Sequence, residues 1–180
     1  MPTSDPPPRF AADSNVGRLA RWLRILGYDV TYDAFIADAE LVRQALAEER
    51  IILTRDNGIV QRKAARRCVF VRDDHVEAQL RQVISECSLH LEPDRFWTRC
   101  PMDNAETHPV AKCAVADRVP PYTFRTHDHF SECPRCRRVY WRGSHLDRFR
   151  RRLAQVAGFE EGETHEEECA CLAPNPAVMA

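Results

Sequence analysis

A chain of 180 residues has room for one ordinary domain or two small ones. Its 44% hydrophobic content can fill a core, and its formal net charge of -1 says little about partners, so the distribution of charge carries more than its sum. No run of about 18 apolar residues exists, which excludes a membrane-spanning helix. The opening MPTSDPPPR has no apolar stretch of the secretory type, and the expected location is cytoplasmic. In that reducing setting the eight cysteines favour metal binding over disulfides where their spacing pairs them.

Residues 1–8 are proline-rich and are expected to be disordered. A short buried strand is predicted over Phe10–Ala12, followed by a helix over Val16–Leu26, where Leu19, Trp22, Leu23 and Leu26 recur at helical spacing and Gly27 closes the helix. Val30–Tyr32 reads as a second strand and Asp38–Glu49 as a second helix with Leu41, Val42, Ala45 and Leu46 on its apolar face. Then come a buried strand over Ile51–Thr54, a helix over Ile59–Arg66, a strand over Cys68–Val71 and a helix over His75–Cys87. Alternating strands and helices imply an α/β domain with a mainly parallel sheet, and ligands of such sheets bind beyond the carboxyl ends of the strands.

The character changes after Pro93. Helical periodicity gives way to cysteine, proline, aromatic and arginine residues through Arg152, which reads as a small ligand-stapled module over 93–152 beside a first domain over 9–92. Residues 94–152 hold 13 Lys and Arg against 7 Asp and Glu, whereas 153–180 hold 6 acidic residues and no Lys or Arg. This acidic tail is expected to be partly disordered, and its sign suggests that it covers the basic surface preceding it. No internal repeat is present.

Carboxylates follow every predicted strand: Asp13, Asp33, Asp56 and the pair Asp73-Asp74. Gathered at one sheet edge they repel one another unless a cation neutralises them. Their hard oxygens suit magnesium or manganese, which activates water in phosphodiester hydrolysis. Each also has a structural reading: Asp56-Asn57-Gly58 is a good turn, and Asp38 and Asp73-Asp74 suit helix N-termini. Arg18, Arg21 and Arg24 form a basic stripe on the first helix, either a phosphate contact or a solvated face.

The stretch from Asp13 through Gly17-Arg18-Leu19-Ala20-Arg21-Trp22-Leu23-Arg24 to Asp29 resembles the opening of the Mut-seven C-terminal RNase family. Ile52-Leu53-Thr54-Arg55-Asp56, Asp74 to Leu80, and Cys133-Pro134-Arg135-Cys136 followed by Val139 to His145 resemble its later signatures in order, so that the likeness runs from Arg9 to Arg150. The resemblance implies a PIN-like nuclease domain with a zinc ribbon, and metal-dependent RNA cleavage. It carries catalytic roles onto Asp13, Asp38 and Asp56, which would hold magnesium or manganese, and onto Asp74, with Asp73 as its rival. A metal-activated water would attack the phosphorus while Arg18, Arg21 or Arg24 clamps the phosphate. It assigns no role to Asp33.

Cys133 and Cys136 have the C-x₂-C spacing of a zinc knuckle. Cys100-Pro101-Met102-Asp103 resembles the family's other knuckle with Asp103 in place of a cysteine. Asp103 can itself ligate zinc, Cys113 or His108 can complete the site, or zinc is lost and the cysteines are buried hydrophobes. Cys68 and Cys87 read as packing residues; Cys169 and Cys171 have no assigned partner. Arg135, Arg137, Arg138 and Arg142 beside Tyr140-Trp141 suit single-stranded RNA, although the aromatics also suit the core of a small module. His145 stays outside the catalytic set. The competing functions are an RNA endonuclease, an RNA-binding protein with an idle centre, and a toxin-type PIN nuclease.

Overall fold

The computed structural model describes residues 6–157, and within them all side chains except those of 144–147 and 157. The expectations for residues 1–5, the acidic stretch beyond 157, Cys169, Cys171 and the side chain of His145 lie outside the described residues. Four strands, β1 (Phe10–Ala12), β2 (Val30–Tyr32), β3 (Ile51–Thr54) and β4 (Cys68–Phe70), form a parallel sheet in the order β2-β1-β3-β4. Ala12 pairs with Tyr32 on one side and Leu53 on the other. The chain steps from β1 to β2, then returns to the opposite side of β1 as β3. The sheet therefore changes direction between β1 and β3, where the carboxyl ends of the strands leave a crevice.

Side chains alternate across this sheet as a pleated strand requires. Phe10, Ala12, Val30 and Leu53 face one layer, built from α1 (Gly17–Ile25) and α4 (Val76–Glu86). Ala11 and Ile52 face the other, built from α2 (Asp38–Ala47) and the single turn α3 (Asn57–Val60). The three residues of β1 have no exposed surface, which fits a central strand covered on both sides. Gly27 ends α1 at φ +90°, and a Cβ there would lie 2.4 Å from the Arg95 carbonyl oxygen. Both the backbone and the space demand glycine.

Two expectations are corrected. The helix predicted over Ile59–Arg66 is the turn Asn57–Val60, because the Asp56 side chain accepts the Gly58 N–H at 2.6 Å and caps it early. Residues 61–66 offer no apolar stripe to prolong it. Helical structure also returns after Pro93, as α5 (Pro121–Thr126) and α6 (Ser144–Ala157). Helix α6 runs across the 152/153 boundary drawn from composition. Its Phe149, Leu153 and Val156 recur at i, i+4 and i+7 and bury against the α1 and α4 layer. Arginines between them hide the stripe from a reading of composition.

Strands β5 (His108–Val110), β6 (Phe130–Glu132) and β7 (Val139–Trp141) make an antiparallel sheet with a small core of Val115, Val119 and Phe130. The whole is an α/β protein with a ribbon-like cysteine-bearing module. No helix among the described residues is long and apolar enough to cross a membrane.

Candidate functional site

Asp13 stands directly after the central strand and is 4% exposed. Every hydrogen-bonding neighbour donates to its carboxylate. Oδ1 accepts from Ser14 N at 2.6 Å and Ser14 Oγ at 3.2 Å, and Oδ2 accepts from Asn15 Nδ2 at 2.8 Å and Thr54 Oγ1 at 2.6 Å. Thr54 Oγ1 in turn accepts Asp56 N–H at 2.9 Å, so one hydroxyl links the carboxylate after β1 to the backbone after β3. Asn15 Oδ1 accepts Arg55 N–H at 3.3 Å and ties the same two strand ends together. Both carboxylate oxygens are thus fixed in place by donors from the strand ends.

The other carboxylates are more open. Asp38 starts α2 and pairs with Arg62 at 3.2 Å, and Asp74 pairs with Arg55. Asp73 Oδ1 accepts His75 N–H at 2.7 Å and Asp33 Oδ1 accepts Phe35 N–H at 2.9 Å; both are turn-forming residues. Asp13, Asp38 and Asp56 do not form a set whose ligand oxygens all lie within 4.8 Å of one another; among the described residues the group that does is elsewhere.

Beside Asp13 lies a cavity of about 320 Å³ lined by Asn15, Arg18, Arg21, Tyr32, Arg55 and Gln79 among others. Gly17 lets Tyr32 approach α1, since a Cβ there would sit 2.5 Å from the Tyr32 hydroxyl. Two of the three stripe arginines thus reach the cavity. Arg24 does not, which corrects its assignment as a phosphate contact. It is 3% exposed and donates to three carbonyls, Val30 O at 2.9 Å, Pro101 O at 3.1 Å and Met102 O at 2.9 Å. Burial pulls its pKa below the ordinary value, opposed by the charges of Cys100 and Asp103.

The Pro101 and Met102 carbonyls belong to the loop of the second feature. Cys100, Asp103, Cys133 and Cys136 place one ligand atom each within 4.8 Å of all the others. Cys113 and His108 are outside this group and exposed. Cys100 Sγ and Cys136 Sγ are 3.6 Å apart, and Asp103 Oδ1 lies 3.2 Å from Cys133 Sγ. A tetrahedral ion bound at about 2.3 Å to each sulfur separates them by roughly 3.8 Å, so the donor set and its spacing fit zinc. None of the six cysteines among the described residues is in a disulfide. Cys133 is buried, and burial is the main cause that pushes its thiol up to about 12. The Tyr140 hydroxyl lies 3.0 Å from Cys100 Sγ, and Cys136 holds the Arg138 pKa above its ordinary value. Arg138 and Arg142 are exposed on the module.

Asn104 joins the knuckle to the sheet. Its Oδ1 accepts Val30 N–H at 2.9 Å, and its Nδ2 donates to Asp29 Oδ1 at 2.6 Å. Asp29 is held bidentately by Arg50, which also donates to Phe10 O at 3.2 Å. Thr54, Asn15, Arg55 and Asn104 escape a reading of the sequence. Thr54 carried the clearest signal, a hydroxyl closing an otherwise apolar strand.

A family model described as Mut7-C RNAse domain matches residues 8–153. No curated protein and no solved structure matches the chain.

Proposed function

The chain belongs to the Mut7-C RNAse domain family, and on that footing we propose that it is a metal-dependent endoribonuclease, a hydrolase cutting RNA phosphodiester bonds at the crevice between β1 and β3. The observation that carries this reading is the buried Asp13 carboxylate, held among donors at the switch in strand order. Asp13 and Asp56 would hold a magnesium or manganese ion there, with Asp38 and Asp74 at its margin. Magnesium is commonly held by one or two carboxylates with water and substrate phosphate completing its shell, so three convergent carboxylates are not required. When bound, such an ion supplies Lewis acidity to the phosphate and a more acidic water.

The chain's own residues prepare the site. Thr54 and Asn15 fix the Asp13 oxygens, so that the carboxylate need not reorganise when substrate arrives. Arg18 and Arg21 on the cavity wall attract and orient the phosphate backbone. Arg55, paired with Asp74, stands on the same wall and can exchange that partner for a phosphate.

In this reading residues 9–92 form the nuclease domain and 93–152 a zinc-ribbon-like module with Cys100, Asp103, Cys133 and Cys136 as ligands. Arg24 and Asn104 bind the knuckle to α1 and β2, so zinc would support the helix that carries Arg18 and Arg21. The test is incubation of internally labelled RNA with the purified chain, with and without magnesium or manganese. Cation-dependent internal cleavage supports the proposal. Binding without cleavage in either ion favours an RNA-binding protein with an idle centre.

A further inference from the structure

The cavity most remote in character from the carboxylate groove has a volume of about 510 Å³ and lies between the antiparallel sheet and the 93–98 segment. We infer that it is a stacking pocket for one unpaired base of single-stranded RNA, an inference that rests on the ribonuclease reading for its choice of ligand.

The walls carry the chemistry of base recognition. Trp97 and Tyr140 both line the cavity with ring centroids 6.4 Å apart and planes inclined at 39°. Pro109, Ser131 and Tyr140 stand side by side across three strands and form one wall. Flat aromatic faces take any base by stacking, while a base already paired in a helix has its faces and edges occupied.

Trp97 is fixed in place on this wall. Its backbone is left-handed at φ +64°, a conformation disfavoured for a bulky side chain. Hydrogen bonds from Trp97 N to Ile25 O at 2.8 Å and from Thr107 Oγ1 to Trp97 O at 3.1 Å hold it there. Phe149 meets it in a T-shaped contact, with ring centroids 5.9 Å apart and planes at 69°. The half-buried indole keeps part of its surface on the cavity wall, where a base can stack.

Charge places the phosphate. Arg142 is exposed on the cavity margin. Asp94 and Asp128 also line the cavity, and Asp128 is already paired with Lys112 at 2.8 Å. The phosphate of the bound nucleotide therefore belongs on the Arg142 side.

The test uses the full zinc-loaded chain without added magnesium or manganese. A fluorescein-labelled oligoadenylate decamer, the same strand in a duplex, and adenosine monophosphate are titrated by anisotropy or competition. The single strand is expected to bind more tightly than the duplex. Ser131→Phe, which fills the cavity, and Trp97→Leu, which removes the aromatic face, are each expected to weaken single-strand binding about tenfold. The exposed Arg142→Ala gives a fold-neutral third variant that weakens binding and flattens its salt dependence. Wild-type affinity in Ser131→Phe and Arg142→Ala, or binding of the monophosphate with no effect of the variants on the decamer, overturns the inference. Cleavage assays with magnesium separate the two readings. Cation-dependent cleavage alongside unchanged variant affinities removes the pocket and leaves the ribonuclease. Weakened variants of a chain that never cleaves leave the pocket and remove the ribonuclease.

Discussion

Thr54 Oγ1 donates to Asp13 Oδ2 across 2.6 Å, and both residues are buried at the ends of neighbouring strands. The same oxygen accepts Asp56 N–H, so Thr54→Val leaves the buried-side Asp56 N–H without its partner and Asp13 Oδ2 with Asn15 Nδ2 alone. The change is expected to cost about 1–3 kcal/mol of stability. On the proposed function it should also lower kcat at least tenfold while leaving the affinity for RNA near wild type, because Thr54 touches Asp13 and does not line the arginine-bearing cavity. Single-turnover cleavage and anisotropy on the same preparation separate the two effects.

The three stripe arginines should divide. Arg18→Ala and Arg21→Ala keep the fold, weaken RNA binding and each reduce the salt slope of binding by about one. Arg24→Ala strips donors from three internal carbonyls and is expected to destabilise the chain by about 3 kcal/mol. Thermal unfolding beside salt-dependent binding distinguishes the surface pair from the internal arginine.

Arg24 also marks where sequence ceased to be enough. Spacing put it on one stripe with Arg18 and Arg21, and a helix of period 3.6 does rotate that stripe from solvent toward the next layer. Only the position of the 100–104 loop reveals what lies there. The parallel sheet was legible because β1, β3 and their helices obey local periodicity and depend on no distant partner. The helix α6 was not, because its apolar positions are few and their value comes from Trp22, which meets Phe149 at a ring distance of 5.0 Å from far along the chain. At the cysteine group, the family resemblance left Asp103, Cys113 and His108 as rivals for the fourth position, and tertiary folding brings Asp103 beside Cys133.

Zinc in that group is expected at one equivalent per chain. Cys133→Ser should lose the metal and lower the melting temperature. Asp103→Cys should hold zinc more firmly against a chelator, since a thiolate replaces a carboxylate oxygen. Elemental analysis before and after chelation measures both. A zinc-free preparation that melts like the wild type would contradict the assignment.

The acid limb of stability should depend on Asp29. Burial raises its pKa, but hydrogen bonds from Arg50 and Asn104 more than offset this and leave it below the ordinary 3.8. A depressed folded-state pKa contributes stability that is complete above the unfolded value and is lost as pH falls through the folded one. Asp29→Asn should therefore be less stable than the wild type at neutral pH, and the gap should narrow as pH falls below the ordinary carboxylate value. Denaturant titrations of both chains across that window check the sign.

The ribonuclease reading stands or falls on Asp13, and the most direct measurement compares the wild type with Asp13→Asn in magnesium-dependent cleavage of single-stranded RNA, at equal zinc content and after confirming that both chains are folded. The wild type is predicted to cleave and the variant to lose at least a hundredfold in kcat while still binding RNA. Equal cleavage by the two chains would contradict the assignment of Asp13, and of the crevice between β1 and β3, as the catalytic centre.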